Sequence, residues 1–230
     1  RYESSAASDV YKRQIYYNPV NVSAEDMEGL TYEDLSDPKW KGRVAIRSSG
    51  NMYNQSLVAS LIANNGVDAT EKWAHRFVGN FARKPEGNDR AQIMAVANGE
   101  ADVAVANSYY IGLMLSGKKG EEQQAAARKV ELHFPGQDGR GAHINVSGAG
   151  LMKNAPNAGN AVKFIEFLLS EEAQSHIVNN TYEFPMLEGV APSDLIAQFG
   201  SGFKEDQTSV ASYGEFNPEA VKLMDRVGWQ

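Results

Sequence analysis

Short apolar runs alternate with longer stretches of helical periodicity along most of the chain. Residues 15–17, 43–46 and 102–106 have the length and apolar content of buried strands. Residues 54–64 carry apolar side chains at helical spacing, and further helical stretches precede the third strand. Because helices lie between the strands in sequence, the pattern predicts an α/β fold with a mostly parallel sheet.

Recognisable signals mark several helix ends. Residues 68–71 read as a capping box that starts a helix, and either Asn107 or Ser108 is the predicted N-cap of the helix after the third strand. Residues 157–169 and 170–178 predict two amphipathic helices. Pro218 predicts the first position of the last helix, because proline fits a first helical turn, where its missing N–H is not needed.

The start of the chain does not follow this pattern. Residues 1–14 have little apolar periodicity and join abruptly to the orderly pattern that begins at Ile15. The sequence therefore predicts that residues 1–14 are a leader that is either non-native or disordered.

Composition narrows the range of functions. The 230 residues suffice for one large domain or two modest lobes, and they include no apolar run long enough to span a membrane. A formal net charge of −7 argues against a nucleic-acid partner, which requires a basic surface. The absence of cysteine excludes thiolate zinc sites, iron–sulfur clusters, disulfides and thiol nucleophiles.

Two predicted strand-to-helix turns carry the candidate chemistry, because ligands of α/β sheets bind beyond the carboxyl ends of the strands. The first turn carries Ser48, Ser49, Asn51 and Tyr53, and the second carries Tyr109 and Tyr110. A phenol is normally neutral, but a nearby trivalent cation favours the phenolate, and hard anionic oxygen suits a hard cation. From the pattern alone, packing remains the commoner role for such tyrosines. The four histidines show no metal-site spacing, and no phosphate-binding loop or nucleophile elbow is present.

Several longer segments resemble one family, the ferric-ion-binding proteins of bacterial iron ABC importers. The resemblance begins in residues 32–43 (YEDLSDPKWKGR) and 46–56 (IRSSGNMYNQS). It continues in residues 87–92 (GNDRAQ), 104–112 (AVANSYYIG) and 143–150 (HINVSGAG). The Tyr-Asn-Gln-Ser and Asn-Ser-Tyr-Tyr pieces are the specific ones, whereas the others recur among related solute-binding proteins.

The resemblance implies a two-lobed periplasmic-binding-protein fold of type II, with central mixed sheets and iron in the cleft between the lobes. Its expected ligands for Fe3+ are Tyr53, Tyr109 and Tyr110. Ser48, Ser49 and Asn51 are expected to help hold an accompanying anion such as carbonate. The implied protein is periplasmic, a monomer when full length, and not an enzyme. It delivers ferric iron to the permease of an ABC importer.

Family members have a further segment before Ile15, so the chain is expected to be N-terminally truncated, with most of the first lobe missing. Residues 15–135 and 187–230 would then form the iron-ligating C-terminal lobe, and residues 136–186 a remnant of the N-terminal lobe. That remnant is expected to expose an apolar helix face, formed by Val162, Phe164, Ile165 and Leu168.

Three alternatives stay open at this point. The same fold binds other small solutes, such as polyamines, oxyanions or sugars, and the tyrosines would then stack or donate hydrogen bonds. It also serves as the effector-sensing domain of transcription regulators. An enzyme on an α/β frame is the third alternative, although no nucleophile and base converge in the sequence.

Overall fold

One long strand, β1 (Ser5–Tyr17), joins two groups of strands in the computed structural model, which describes residues 5–200 and 202–230. Its second half pairs antiparallel with β3 (Val103–Asn107) and β4 (Glu131–His133). Its first half pairs antiparallel with β5 (Ile144–Gly150). The short strand β2 (Val44–Ala45) lies parallel to β3 on the other side, which gives the order β2-β3-β1-β4.

The sheet is therefore mixed, and the prediction of a mostly parallel sheet is wrong. Helical connections do leave β2, β3 and β4 pointing the same way, as the alternation of strands and helices indicates. However, β1 lies between β3 and β4 and runs opposite to both. The direction in which the first strand enters a sheet leaves no signal in hydrophobic periodicity.

Residues 5–14, which the sequence analysis assigned to a leader, form most of strand β1. Val10 and Tyr11 are buried, and Arg13 is fully buried and paired with Asp89. Over residues 10–14 both faces of the strand are covered, so Lys12 and Gln14 are buried beside Val10 and Tyr11 and no alternation marks this stretch. Residues 1–4 lie outside the described residues, and the non-native origin of residues 1–14 stays a prediction.

Helices cover both faces of the sheet. Their bounds are α1 (Ala24–Met27), α2 (Met52–Asn65), α3 (Val67–Val78), α4 (Asp89–Ala97), α5 (Ser108–Leu115), α6 (Glu121–Ala127), α7 (Ala158–Leu168), α8 (Glu171–Thr181), α9 (Asp194–Ala197) and α10 (Val210–Arg226). On one face, Ile15 and Val105 belong to a core formed with α2, α3 and α10. On the other face, Tyr16 and Ala104 pack with α4, α5 and α6.

Two predicted helix starts are wrong. The structure has no capping box at residues 68–71, because α3 begins at Val67 and its cap is Gly66. Gly66, with φ at +79°, is both the C-cap of α2 and the N-cap of α3. Glycine has no side chain that could accept a capping hydrogen bond. The last helix begins at Val210, so that Pro218 lies inside it. The buried side chains of Tyr213 and Ala220 flank Pro218 and favour a continuous helix despite the missing N–H.

The two predicted amphipathic helices are confirmed as α7 and α8, but they pack unequally. Helix α8 buries Ala173, Gln174 and Val178, whereas α7 buries no residue. Phe164 of α7 is 59% exposed. None of the described helices combines the length and the apolar character needed to cross a bilayer.

Candidate metal-binding site

Three tyrosines meet where strands β2 and β3 give way to helices. Tyr53 lies in the first turn of α2, and Tyr109 and Tyr110 lie in the first turn of α5. The hydroxyl oxygens of Tyr53 and Tyr109 are 3.1 Å apart. The ring centroids of Tyr109 and Tyr110 are 4.2 Å apart, with the planes tilted by 31°. The structure thus brings together the three tyrosines that the sequence analysis proposed as ligands.

Local structure explains why these residues converge. Since β2 and β3 are neighbouring parallel strands, their carboxyl ends lie at the same edge of the sheet. Asn51 caps α2 by accepting a hydrogen bond from the backbone N–H of Tyr53. Helix α5 follows β3 without a loop, and Asn107 takes the predicted N-cap position. Both tyrosine-bearing turns therefore face the same space.

All three tyrosines are partly buried, and this affects the protonation of the pair on α5. Burial raises the pKa of Tyr109 well above the range usual for a phenol, and the phenols of Tyr110 and Tyr53 raise it further. Burial also raises the pKa of Tyr110. Without a cation these phenols are neutral at physiological pH. A highly charged cation among them would supply the missing stabilisation of the phenolate form.

Tyr11, which the sequence analysis assigned to the leader, belongs to the same aromatic cluster. Its ring meets the ring of Tyr53 edge-on at a centroid distance of 5.4 Å, and that of Tyr109 at 5.6 Å. The only sequence signal for it is the β-branched and aromatic pair Val10-Tyr11, which favours a strand. This ring packs edge-on against both other rings and thereby limits where they can move.

A buried polar network underlies the tyrosines, and the sequence analysis did not find it. Its centre is Asp89, which is fully buried at the first position of α4. One carboxylate oxygen accepts hydrogen bonds from the Arg13 guanidinium at 2.9 Å and from the backbone N–H of Asn107 at 2.7 Å. The other oxygen lies 3.3 Å from Arg47 Nη1. The Arg13 and Arg47 guanidinium carbons lie 5.9 Å and 5.8 Å from the Tyr53 ring centroid, so two cations paired with one carboxylate lie beside Tyr53.

The candidate anion-binding residues lie in the loop before α2 and are partly exposed. The backbone carbonyls of Ser48 and Ser49 accept hydrogen bonds from the side chains of Asn54 and Gln55. The Asn51 side chain serves as the helix cap. These contacts hold the loop against the helix, and an anion-binding role for its three residues stays a prediction.

Other possible metal ligands do not gather elsewhere in the part of the chain that the structure describes. No group of three or more His, Asp or Glu side chains there is arranged to hold a metal ion. His143 is buried, and its Nε2 lies 3.1 Å from the Ser56 hydroxyl. Next to it, a groove of about 360 Å³ is lined by Tyr53, Ser56 and Tyr213. One side of the phenol cluster is therefore open to solvent.

Comparison with known proteins identifies a family for this chain. A family model described as a bacterial extracellular solute-binding protein matches residues 13–203. Iron uptake protein A1 of Synechocystis sp. is 52% identical over 218 residues, which are 95% of this chain and 59% of that protein. The chain therefore spans about three fifths of the length of this relative.

Solved structures agree with the sequence matches. A Trichodesmium protein named IdiA or FutA, in complex with iron and citrate ligands, is 50% identical, with a TM-score of 0.94 over 98% of this chain and 70% of that one. The ferric binding protein of Campylobacter jejuni is 38% identical, with a TM-score of 0.91 over 98% of this chain and 71% of that one. These matches confirm the predicted resemblance and the predicted α/β binding-protein fold with a mixed sheet.

Proposed function

We propose that this chain, which belongs to the family of bacterial extracellular solute-binding proteins, binds ferric iron through the phenolate oxygens of Tyr53, Tyr109 and Tyr110. The observation that carries the proposal is the 3.1 Å separation of the Tyr53 and Tyr109 hydroxyls, with the ring of Tyr110 tilted against that of Tyr109. Two hydroxyls at this distance share a hydrogen bond when neutral. As phenolates they would repel each other unless a cation lay between them.

The charges favour a trivalent metal. Three phenolates neutralise the charge of Fe3+, and hard oxygen ligands suit a hard cation better than imidazole or sulfur does. The guanidinium groups of Arg13 and Arg47 outnumber the single carboxylate of Asp89, so a further anion is favoured at the site. Carbonate or a similar anion beside Ser48 and Ser49 would complete the metal coordination. The iron and citrate ligands of the Trichodesmium structure support an accompanying anion.

The wider role follows from the family and from the relatives' names. The chain takes ferric iron in the periplasm and delivers it to the permease of an ABC importer. Residues 15–135 and 187–230 form the iron-ligating lobe, and residues 136–186 belong to the opposite lobe. The separate pairing of β5 with the first half of β1 supports this division. Iron bound between two lobes would shift their equilibrium toward the closed form, which the permease recognises.

The test is a spectroscopic titration of the chain with ferric citrate. Phenolate bound to ferric iron absorbs visible light by charge transfer, so the parent chain develops a coloured band that saturates with iron. Tyr109→Phe keeps the ring and removes the ligand oxygen. It should abolish or strongly shift the band and lower ferric affinity by more than about 100-fold, because loss of an outer-shell partner alone costs about 10–100-fold.

Tyr17→Phe is the matched control. It removes a phenol that donates a hydrogen bond to Glu131 within the fold and contacts none of the three site tyrosines in the structure described. This variant should keep both the band and the affinity. A folded parent chain without a charge-transfer band would overturn the ferric proposal and favour another small solute on the same fold.

A further inference from the structure

We propose that Asp89 is the positioning residue of the tyrosine cluster, because its carboxylate fixes α2 and α5 in the register that brings their phenols together. This inference rests on the proposed function, since it assigns to Asp89 the geometry of the same iron site. The carboxylate belongs to a buried network that lies next to the phenols, and it is not part of the candidate ligand set.

A backbone hydrogen bond connects Asp89 to the turn that carries Tyr109 and Tyr110. Its carboxylate accepts the backbone N–H of Asn107 at 2.7 Å. Asn107 is the N-cap of α5, so this hydrogen bond sets where the helix starts, two residues before Tyr109. The Asn107 side chain does not cap the helix but accepts a hydrogen bond from Arg13 at 3.0 Å. The carboxylate of Asp89 therefore anchors the first turn of α5.

Two arginines connect Asp89 to the turn that carries Tyr53. The carboxylate pairs with Arg47 at 3.3 Å and with Arg13 at 2.9 Å. Asn54, which follows Tyr53 in α2, donates to the backbone carbonyl of Arg47 at 2.7 Å and accepts a hydrogen bond from the Arg13 guanidinium. Both arginines thus connect the carboxylate to the start of α2, so a single side chain holds both tyrosine-bearing turns.

Charge explains why a carboxylate is needed at this position. Asp89 is fully buried and is the one carboxylate that the described structure pairs with either Arg13 or Arg47. Removing its charge would leave two cations beside the Tyr53 ring without an anion, and uncompensated buried charge forces rearrangement. The guanidinium groups would then move toward water or toward the phenols, and the turns that they hold would move with them.

The test compares Asp89→Asn with Asp206→Asn in the 230-residue chain. Asp206 is also buried and lies 3.2 Å from an arginine, Arg140. It contacts α2 at Ser60, about 10 Å along the helix from Tyr53. Both variants should lower thermal stability. Only Asp89→Asn should separate the Tyr53 and Tyr109 hydroxyls beyond about 3.5 Å, the limit of a hydrogen bond, in crystals grown without iron.

Ferric titration gives the second readout. Asp89→Asn should lower iron affinity by about 10–100-fold and shift the charge-transfer band, as expected for a partner that orients metal ligands. Asp206→Asn should leave the affinity and the band unchanged. If Asp89→Asn does not fold, Arg47→Met serves instead, because Arg47 is partly exposed and its loss removes one of the links to α2. It should give a smaller displacement in the same direction.

The two proposals fail in different ways. A folded parent chain that gives no charge-transfer band overturns the iron proposal, whereas the iron-free crystals still decide the role of Asp89. A folded Asp89→Asn variant, or a folded Arg47→Met variant used in its place, that keeps the hydroxyl separation at 3.1 Å overturns the positioning role, whatever metal the site binds.

Discussion

Helices α3 and α7 have similar lengths but different surroundings. Helix α3 buries Trp73 and Phe77, whose rings stack at a centroid distance of 4.8 Å and pack against Trp229. Helix α7 has two phenylalanines, Phe164 and Phe167, that are 59% and 47% exposed. The first helix packs against α2, which presents Tyr53, whereas the second contacts β1 and α8.

This difference shows which part of the chain holds the candidate site together. The tyrosine-bearing turns are backed by a core that covers both faces of the sheet and by the network around Asp89. Helix α7 contributes no buried side chain to the core, and none of its residues belongs to the tyrosine cluster. Changes in the first region should therefore alter both stability and metal binding, whereas changes in α7 should alter neither strongly.

The largest expected effect is that of Phe77→Ala. Phe77 is 1% exposed and contacts the rings of Trp73, Phe81 and Trp229. Truncation leaves a cavity under α3 and should lower the free energy of unfolding by about 3–5 kcal/mol. Denaturant unfolding followed by tryptophan fluorescence measures the change. A loss below about 1 kcal/mol would mean that this core is much looser than the structure shows.

An intermediate effect is expected from pH, through a histidine that connects the two regions. His143 immediately precedes β5 and contacts Ser56 of α2. Burial, together with the charges of Arg13 and Arg140, lowers its pKa to about 3. An unfolded histidine titrates near 6.5, so the unfolded state binds the proton more readily. The neutral, buried imidazole therefore stabilises the folded chain relative to the unfolded one. This contribution is complete above about pH 6.5 and is lost as the pH falls toward 3.

At pH 5 the loss from His143 should be on the order of 2 kcal/mol relative to neutral pH. His143→Gln removes the titrating group and should flatten this part of the profile. Burial also lowers the pKa of His133, which remains in both proteins and cancels in the comparison. Unfolding free energies of parent and variant between pH 5 and pH 7 provide the measurement. Parallel profiles would contradict the account, because they would show that folding does not lower the pKa of His143.

The smallest expected effect is that of Phe164→Ala, the same substitution placed on α7. The exposed ring loses few contacts in the folded state, so the free energy of unfolding should change by less than about 0.5–1 kcal/mol. Removing an exposed aromatic side chain should also reduce self-association. Light scattering and denaturant unfolding measure the two effects. A loss comparable to that of Phe77→Ala would mean that α7 is packed in solution.

Periodicity identified the parts of the fold that local sequence determines. Helices α2, α4 and α5 and strands β2 and β3 lie where apolar spacing predicts them. Strand β1 was predicted only from Ile15 onward, because a strand with both faces covered shows no alternation. The early start of α10 was missed because Pro218 is a strong local signal that tertiary packing overrides.

Part of the candidate site was also predictable. Tyr53, Tyr109 and Tyr110 follow two strands whose ends share one edge of the sheet, so their convergence follows from the strand order. Tyr11 and the Asp89 network were not predictable in the same way. Residues 11, 47, 54, 89 and 107 come from four separate segments, and no spacing along the chain shows that these segments meet.

The most direct test of the iron site is a crystal structure of the iron-loaded chain, with the metal located by anomalous scattering at the iron absorption edge. We predict a single strong peak about 2–2.5 Å from the hydroxyl oxygens of Tyr53, Tyr109 and Tyr110, which is a typical range for metal–oxygen bonds. Iron bound elsewhere, with the Tyr53 and Tyr109 hydroxyls still 3.1 Å apart and free of metal, would contradict the assignment.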